Sequence, residues 1–118
     1  MNNETFEKVL DARIERCRET LIVKAREYAT QDRLHNFKVA AELQGCTPAK
    51  ALAGMMCKHT VSVYDLINEF ESGIEITPNM WDEKIGDSIN YLLLLNALIV
   101  EDRLERKDKE VCARGDTE

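Results

Sequence analysis

The segment Trp81-Asp82-Glu83-Lys84-Ile85-Gly86-Asp87-Ser88-Ile89-Asn90-Tyr91 gathers the side chains best suited to chemistry. Lys84, Asp87 and Tyr91 stand at i, i+3 and i+7, so a helix presents them on one face, with Asn90 three residues beyond Asp87. Gly86 inside that helix costs about 1 kcal/mol relative to Ala, and a helix that keeps it often has another backbone or a ligand close by. The same spacing also fits a helix start with solvated charges and a core tyrosine. A second concentration lies in Arg26-Glu27-Tyr28-Ala29-Thr30-Gln31-Asp32-Arg33-Leu34-His35-Asn36-Phe37-Lys38, where polar, basic and aromatic groups crowd between two helices that must pack. Taken singly, Asp32 reads as a helix cap, His35 as a surface residue and Asn36 as a local hydrogen-bonder. The third is Cys57-Lys58-His59, which interrupts an apolar stretch beginning Met55-Met56. His59 lies on or near the buried stripe, where a histidine is either a satisfied core residue or a ligand or base. Lys58 needs a partner if it is buried, and a phosphate or Asp87 would serve.

The familiar catalytic patterns are absent. The chain has no G-x-x-x-x-G-K-[ST], G-x-G-x-x-G, H-E-x-x-H or G-x-S-x-G. Cys57 and His59 are two apart, and such residues diverge on a helix. Asp11/Glu15 and Glu15/Glu19 have metal-compatible i, i+4 spacing. They sit among Arg13, Arg16 and Arg18, which makes surface ion pairs the expected use.

The elements that must position these groups read as helices. Apolar residues from Phe6 through Val9, Leu10, Ile14, Cys17, Leu21, Ala25 and Tyr28 form one stripe of about six turns. Thr30-Gln31-Asp32 breaks it. Asp32 is placed to cap a short second helix carrying Leu34, Phe37, Ala40, Ala41 and Leu43, with Gly45 as the left-handed residue after its end. Thr47-Pro48 and Thr77-Pro78 are repeated start signals, Thr as cap and Pro where its missing amide costs nothing. They predict a third helix from about Pro48 to Phe70 and a fourth from Pro78 to at least Leu104. The run Tyr91 to Val100 is apolar nearly all round, which places it in the core or at a subunit interface. It is ten residues long and interrupted by Asn96, too short to span a bilayer. Residues 107–118 are charged and read as a disordered, solvated tail after a single helical domain over residues 1–106.

Composition agrees with an all-α domain. The 118 residues hold five Gly, two Pro and 6% aromatics, too few turn and strand formers for a sandwich or barrel. A net charge of −6 disfavours a long nucleic acid as partner. Four cysteines at positions 17, 46, 57 and 112 match no zinc spacing. With a polar N-terminus that lacks a basic n-region, they point to free thiols in the cytoplasm and to no membrane association.

The segments Glu27-Tyr28, Asp32-Arg33-Leu34-His35-Asn36-Phe37, Lys58-His59 and Lys84-Ile85-Gly86-Asp87-Ser88-Ile89-Asn90-Tyr91-Leu92 resemble a family of small phage and prophage proteins. That family is distantly similar to the all-α, MazG-like NTP pyrophosphatases, and the resemblance spans roughly residues 5–103. It implies a helical bundle of about four main helices that oligomerises and binds a nucleotide between helices. In the enzymes an E-x-x-E and a later E-x-x-D hold Mg²⁺ on the substrate phosphates. Here Asp87 matches the second motif, but Lys84 stands where its first carboxylate would be, and no E-x-x-E lies near Lys58-His59. Mg²⁺ needs hard anionic oxygens, whereas a lysine ammonium neutralises phosphate directly.

The expected function is therefore nucleotide binding without catalysis and without a cofactor, in a phage setting sequestering a nucleotide signal of host defence. The alternatives are a Mg²⁺-dependent NTP or dNTP pyrophosphatase, with Asp87 and Glu83 as metal ligands, and a helical interaction module with no small ligand. The expected ligand-binding residues are Tyr28, Asp32, Arg33, His35, Asn36, Phe37, Lys58, His59, Lys84, Asp87, Asn90 and Tyr91. The expected partners are a nucleotide and further copies of the chain.

Overall fold

Both Thr-Pro pairs start helices by the mechanism their chemistry dictates. The Lys50 N–H donates to Thr47 Oγ1 and the Met80 N–H to Thr77 Oγ1, each at 3.2 Å, with proline in the first turn. The computed structural model describes residues 1–27 and 32–115. Four helices carry nearly all of them: α1 (Asn3–Glu27), α2 (His35–Gln44), α3 (Pro48–Glu71) and α4 (Pro78–Ala113). No strand occurs among the described residues, and none of their helices is long and apolar enough to cross a membrane. The chain is an all-α bundle.

Three local details refine the sequence reading. Asp32 is not the N-cap of α2; Leu34 holds that position. The Asp32 carboxylate instead accepts the Leu34 N–H at 3.0 Å and the Lys38 ammonium at 2.7 Å, a turn just ahead of the helix. Gly45 ends α2 as expected, at φ 66°, and lets the Cys46 N–H reach the Ala41 carbonyl at 3.0 Å. The tail expected from residue 107 is helical to Ala113, although exposed. Nothing between Gly86 and Gly115 breaks a helix there, because Lys, Arg, Glu and Leu are all strong helix formers. An Arg106–Asp102 ion pair at 2.7 Å, one turn apart, adds support, and Gly115 at φ 72° closes the helix.

The core is small and sits among α2, α3 and α4. Leu34, Phe37, Leu52 and Leu98 form a buried cluster, against which Met55, Met56, Tyr91, Leu94, Leu95 and Ala97 pack. At the other end of α3, Phe70 meets Trp81 edge-to-face at 5.8 Å. Lys38 bridges Asp32 and Glu101 at 2.7 and 2.6 Å, fastening α2 to α4. The α1 backbone comes close to α4 and, among the described residues, to no other helix. Of the described residues of the expected α1 stripe, Cys17 is buried and Leu21 partly so, while Phe6, Val9, Leu10 and Ile14 are exposed.

Candidate ligand-binding groove

The contacts of α1 set the geometry of the site. Arg13 meets Asp82, Cys17 and Gly86 line one shared hollow, and Leu21, Tyr91 and Leu94 line the next. The two helices therefore run in the same direction, and a groove opens along their joint. It has two lobes of about 360 Å³ each, which share Thr20, Asp87 and Asn90.

The inner lobe is aromatic and amide-lined. Arg33, Asn36 and Phe37 come from the start of α2, Met55 and His59 from α3, and Asp87, Asn90, Tyr91 and Leu94 from α4. The His59 ring lies over Tyr91 with centroids 4.8 Å apart and planes tilted by 32°. Phe37 meets Tyr91 edge-on at 6.4 Å. Asp87 Oδ2 faces His59 Nδ1 at 3.5 Å. The amide oxygen of Asn90 is buried with no hydrogen-bond partner among the described residues. A buried acceptor left unpaired costs about 1–3 kcal/mol, which a donor brought into the lobe would recover.

The outer lobe is charged. Arg13 Nη2 donates to Asp82 Oδ1 at 2.6 Å and Arg13 Nη1 to the Asp82 carbonyl at 3.2 Å, while Arg16 Nη1 lies 2.8 Å from Asp82 Oδ2. One carboxylate thus holds two guanidinium groups of α1. The remaining charged lining is acidic: Glu19, Glu83 and Asp87. A methyl group at Gly86 would stand 3.4 Å from Arg13 Nη1, the tip of a flexible side chain.

Seven of the expected residues thus converge on one lobe: Arg33, Asn36, Phe37, His59, Asp87, Asn90 and Tyr91. Others do not. Lys58 is exposed, because one residue along α3 rotates it about 100° away from His59. Asp87 therefore faces His59 and not Lys58. Lys84 is half-buried and lines neither lobe, and His35 is exposed. Asp32 is engaged by Lys38, and the charge-paired hydrogen bond, with the Leu34 amide, holds its carboxyl below the usual range. Glu83 lines the outer lobe. Tyr28 lies outside the described residues. A wider depression of about 630 Å³ lies around Lys38, Cys46, Pro48, Leu98 and Arg106, and none of the expected residues lines it.

Arg13, Arg16, Thr20 and Asp82 were not anticipated. Arg13 and Arg16 pair across helices with Asp82 rather than with the neighbouring glutamates. The signal for Arg13 was present: it falls one turn before Cys17 on the apolar stripe, opposite the helix that carries Gly86.

Among the described residues no three His, Cys, Asp or Glu groups stand close enough to share a metal ion. Asp82 is taken by two arginines and Asp87 faces His59. Comparison of the chain with protein-family models, with curated proteins and with solved structures finds no match.

Proposed function

We propose that this chain is a nucleotide-binding protein that holds its ligand in the groove between α1 and α4 without cleaving it. The reading rests on the convergence of seven expected residues from three elements on one lobe. The lobe offers a stacking surface in Tyr91 and His59 and amides in Asn36 and Asn90, which suits the flat face and polar edge of a nucleobase. Arg33 supplies a positive group within the same lobe. The resemblance to the phage family related to MazG-like enzymes supports a nucleotide over other heterocycles. In a phage setting, retention without cleavage would remove a nucleotide signal from host defence in the cytoplasm. The absence of the enzymes' E-x-x-E near Lys58-His59 favours binding over Mg²⁺-dependent hydrolysis.

The acidic lining of the outer lobe by Glu19, Glu83 and Asp87 is the observation that favours the pyrophosphatase reading. A thermal-shift screen of purine and pyrimidine mono-, di- and triphosphates and cyclic dinucleotides, with and without Mg²⁺, separates the two. Binding without turnover predicts a shift that is independent of Mg²⁺. Calorimetry with the best of these nucleotides then locates the site: Tyr91→Ala and Asn90→Ala weaken binding at least tenfold, and Lys84→Ala leaves it within about twofold. No shift with any nucleotide defeats the proposal. A shift that needs Mg²⁺, with release of phosphate or pyrophosphate, establishes the enzyme.

A further inference from the structure

The two lobes of the groove differ in charge. The outer lobe sets four carboxylates, Glu19, Asp82, Glu83 and Asp87, against the two guanidinium groups of Arg13 and Arg16, a net of −2. Asp82 is matched by the arginines it holds at 2.6 and 2.8 Å, and Asp87 faces His59 at 3.5 Å. Glu19 and Glu83 are exposed and make no ion pair among the described residues. They come from the two helices that form the lobe, α1 and α4, so a ligand that runs out along the groove meets both.

The inner lobe has the opposite balance where α2 begins. Arg33 and Asn36 line it there. The start of a helix carries the positive end of its dipole, and α2 has no acidic residue in its first turn. Asp32, just ahead of it, is matched by Lys38 at 2.7 Å. Asp87 lies where the two lobes join. The inner lobe encloses about 360 Å³, at the low end of the roughly 300–1,000 Å³ of small-molecule pockets. That is room for one base with its sugar and one phosphate.

Resting on the nucleotide-binding function above, we propose that the groove takes a mononucleotide and that Glu19 and Glu83 reject longer phosphate chains. The base lies against His59 and Tyr91, and the single phosphate lies beside Arg33. A triphosphate adds two phosphoryl groups, and the outer lobe is where the groove continues. There two carboxylates without ion pairs face the added charge in a partly enclosed hollow, where like charges repel more strongly than in open water. Arg13 and Arg16 do not offset this, because Asp82 already holds them. Glu19 and Glu83 are thus specificity residues: they act on what fails to bind.

The test is calorimetry of the full chain in EDTA, with a nucleoside and its 5′ mono-, di- and triphosphates, for the base that gives the largest thermal shift. The monophosphate is expected to bind tightest, and the triphosphate about tenfold or more weaker than it. The gap is widest in about 0.05 M salt and narrows in about 0.5 M, where exposed charges are screened. Glu19→Gln combined with Glu83→Gln brings the two affinities to within about threefold of each other. Arg33→Gln lowers the monophosphate to the level of the nucleoside. Each readout is a ratio within one protein, so partial loss of folded material does not imitate it. Affinity that rises with phosphate number overturns the proposal and leaves the nucleotide-binding function standing. An unchanged ratio in the double variant overturns it as well. So does a preference for the triphosphate once Mg²⁺ is added, which assigns the carboxylates to a metal. Binding of no member of the series defeats the nucleotide-binding function and this proposal together.

Discussion

The body formed by α2, α3 and α4 and the single helix α1 are held by different physics. The body closes on apolar contacts around Leu52, which is fully buried. Helix α1 is held to α4 by a carboxylate that grips two arginines, at a joint half open to water. Apolar burial scales with area and tolerates sliding, whereas the Arg13–Asp82–Arg16 clasp fixes one register and adds little free energy at a wet surface. The groove lies on the boundary between these regimes. Its rigid wall comes from the body, and its other wall hangs on a clasp.

The largest effect that separates the two belongs to the body. Leu52→Ala removes the centre of the cluster, and such truncations cost about 2–5 kcal/mol. In a domain of this size that lowers Tm by roughly 10–20 °C, a loss that thermal denaturation followed by circular dichroism reads directly. If Tm fell by only a degree or two, the division into a tight body and a clasped helix would lose its basis.

Asp82→Ala attacks the other side. It releases both arginines, and with partial exposure discounted the cost is about 1–2 kcal/mol. The distinguishing result is where that cost appears. Amide exchange should accelerate across residues 3–27 while the amides of α3 keep their protection. Equal acceleration in α3 would mean that α1 and the body open as one unit.

These tests also show how much of the molecule was legible. Helix starts were readable because Thr-Pro is local: cap and first turn lie within three residues. Gly45 was readable for the same reason. The aromatic and amide lobe was readable in part, because Asp87, Asn90 and Tyr91 share a helical face whatever packs on it. The clasp was not, since Arg13 and Asp82 are 69 residues apart and an ion pair over that distance leaves no local pattern. Lys84 misled for a related reason. Periodicity says which residues share a face but not how far around the helix the covered sector extends. The helical stretch 107–113 was misread because charge density was taken for disorder, although each of its residues tolerates a helix.

A smaller effect lies in the Asp32–Lys38–Glu101 chain. Lys38 is raised to about 12, first by its hydrogen bond to Asp32 and then by that to Glu101. Asp32 is lowered from 3.8, chiefly by the same bond to Lys38. A lowered carboxyl stabilises the fold above its ordinary value and loses that contribution as pH falls through its folded one. A raised ammonium contributes fully below 10.5 and loses its contribution as pH rises through about 12. Wild type minus Lys38→Met should therefore show a flat stability difference between about pH 5 and 10 that shrinks below about pH 4. Both groups are more than a third exposed, so the difference stays under about 1 kcal/mol. Denaturant titrations at pH 3 and pH 7 measure it, and a difference that grows at pH 3 contradicts the assignment.

The smallest effect has the least obvious sign. Glycine inside α4 costs about 1 kcal/mol against alanine, so Gly86→Ala gains helix stability if nothing is in the way. What lies in the way is Arg13 Nη1, 3.4 Å from the new methyl. That is ordinary contact with the tip of a flexible side chain, so the methyl fits without displacing it. Gly86→Ala should then raise stability by about 0.5 kcal/mol and leave the clasp closed. A larger side chain reverses the sign: Gly86→Leu drives the guanidinium off Asp82, and α1 should exchange as fast as in Asp82→Ala. Melting curves of both variants, with amide exchange of α1, decide the matter. If alanine alone loosens α1, the glycine serves close approach of the helix rather than of one arginine tip, and the joint is tighter than a clasp.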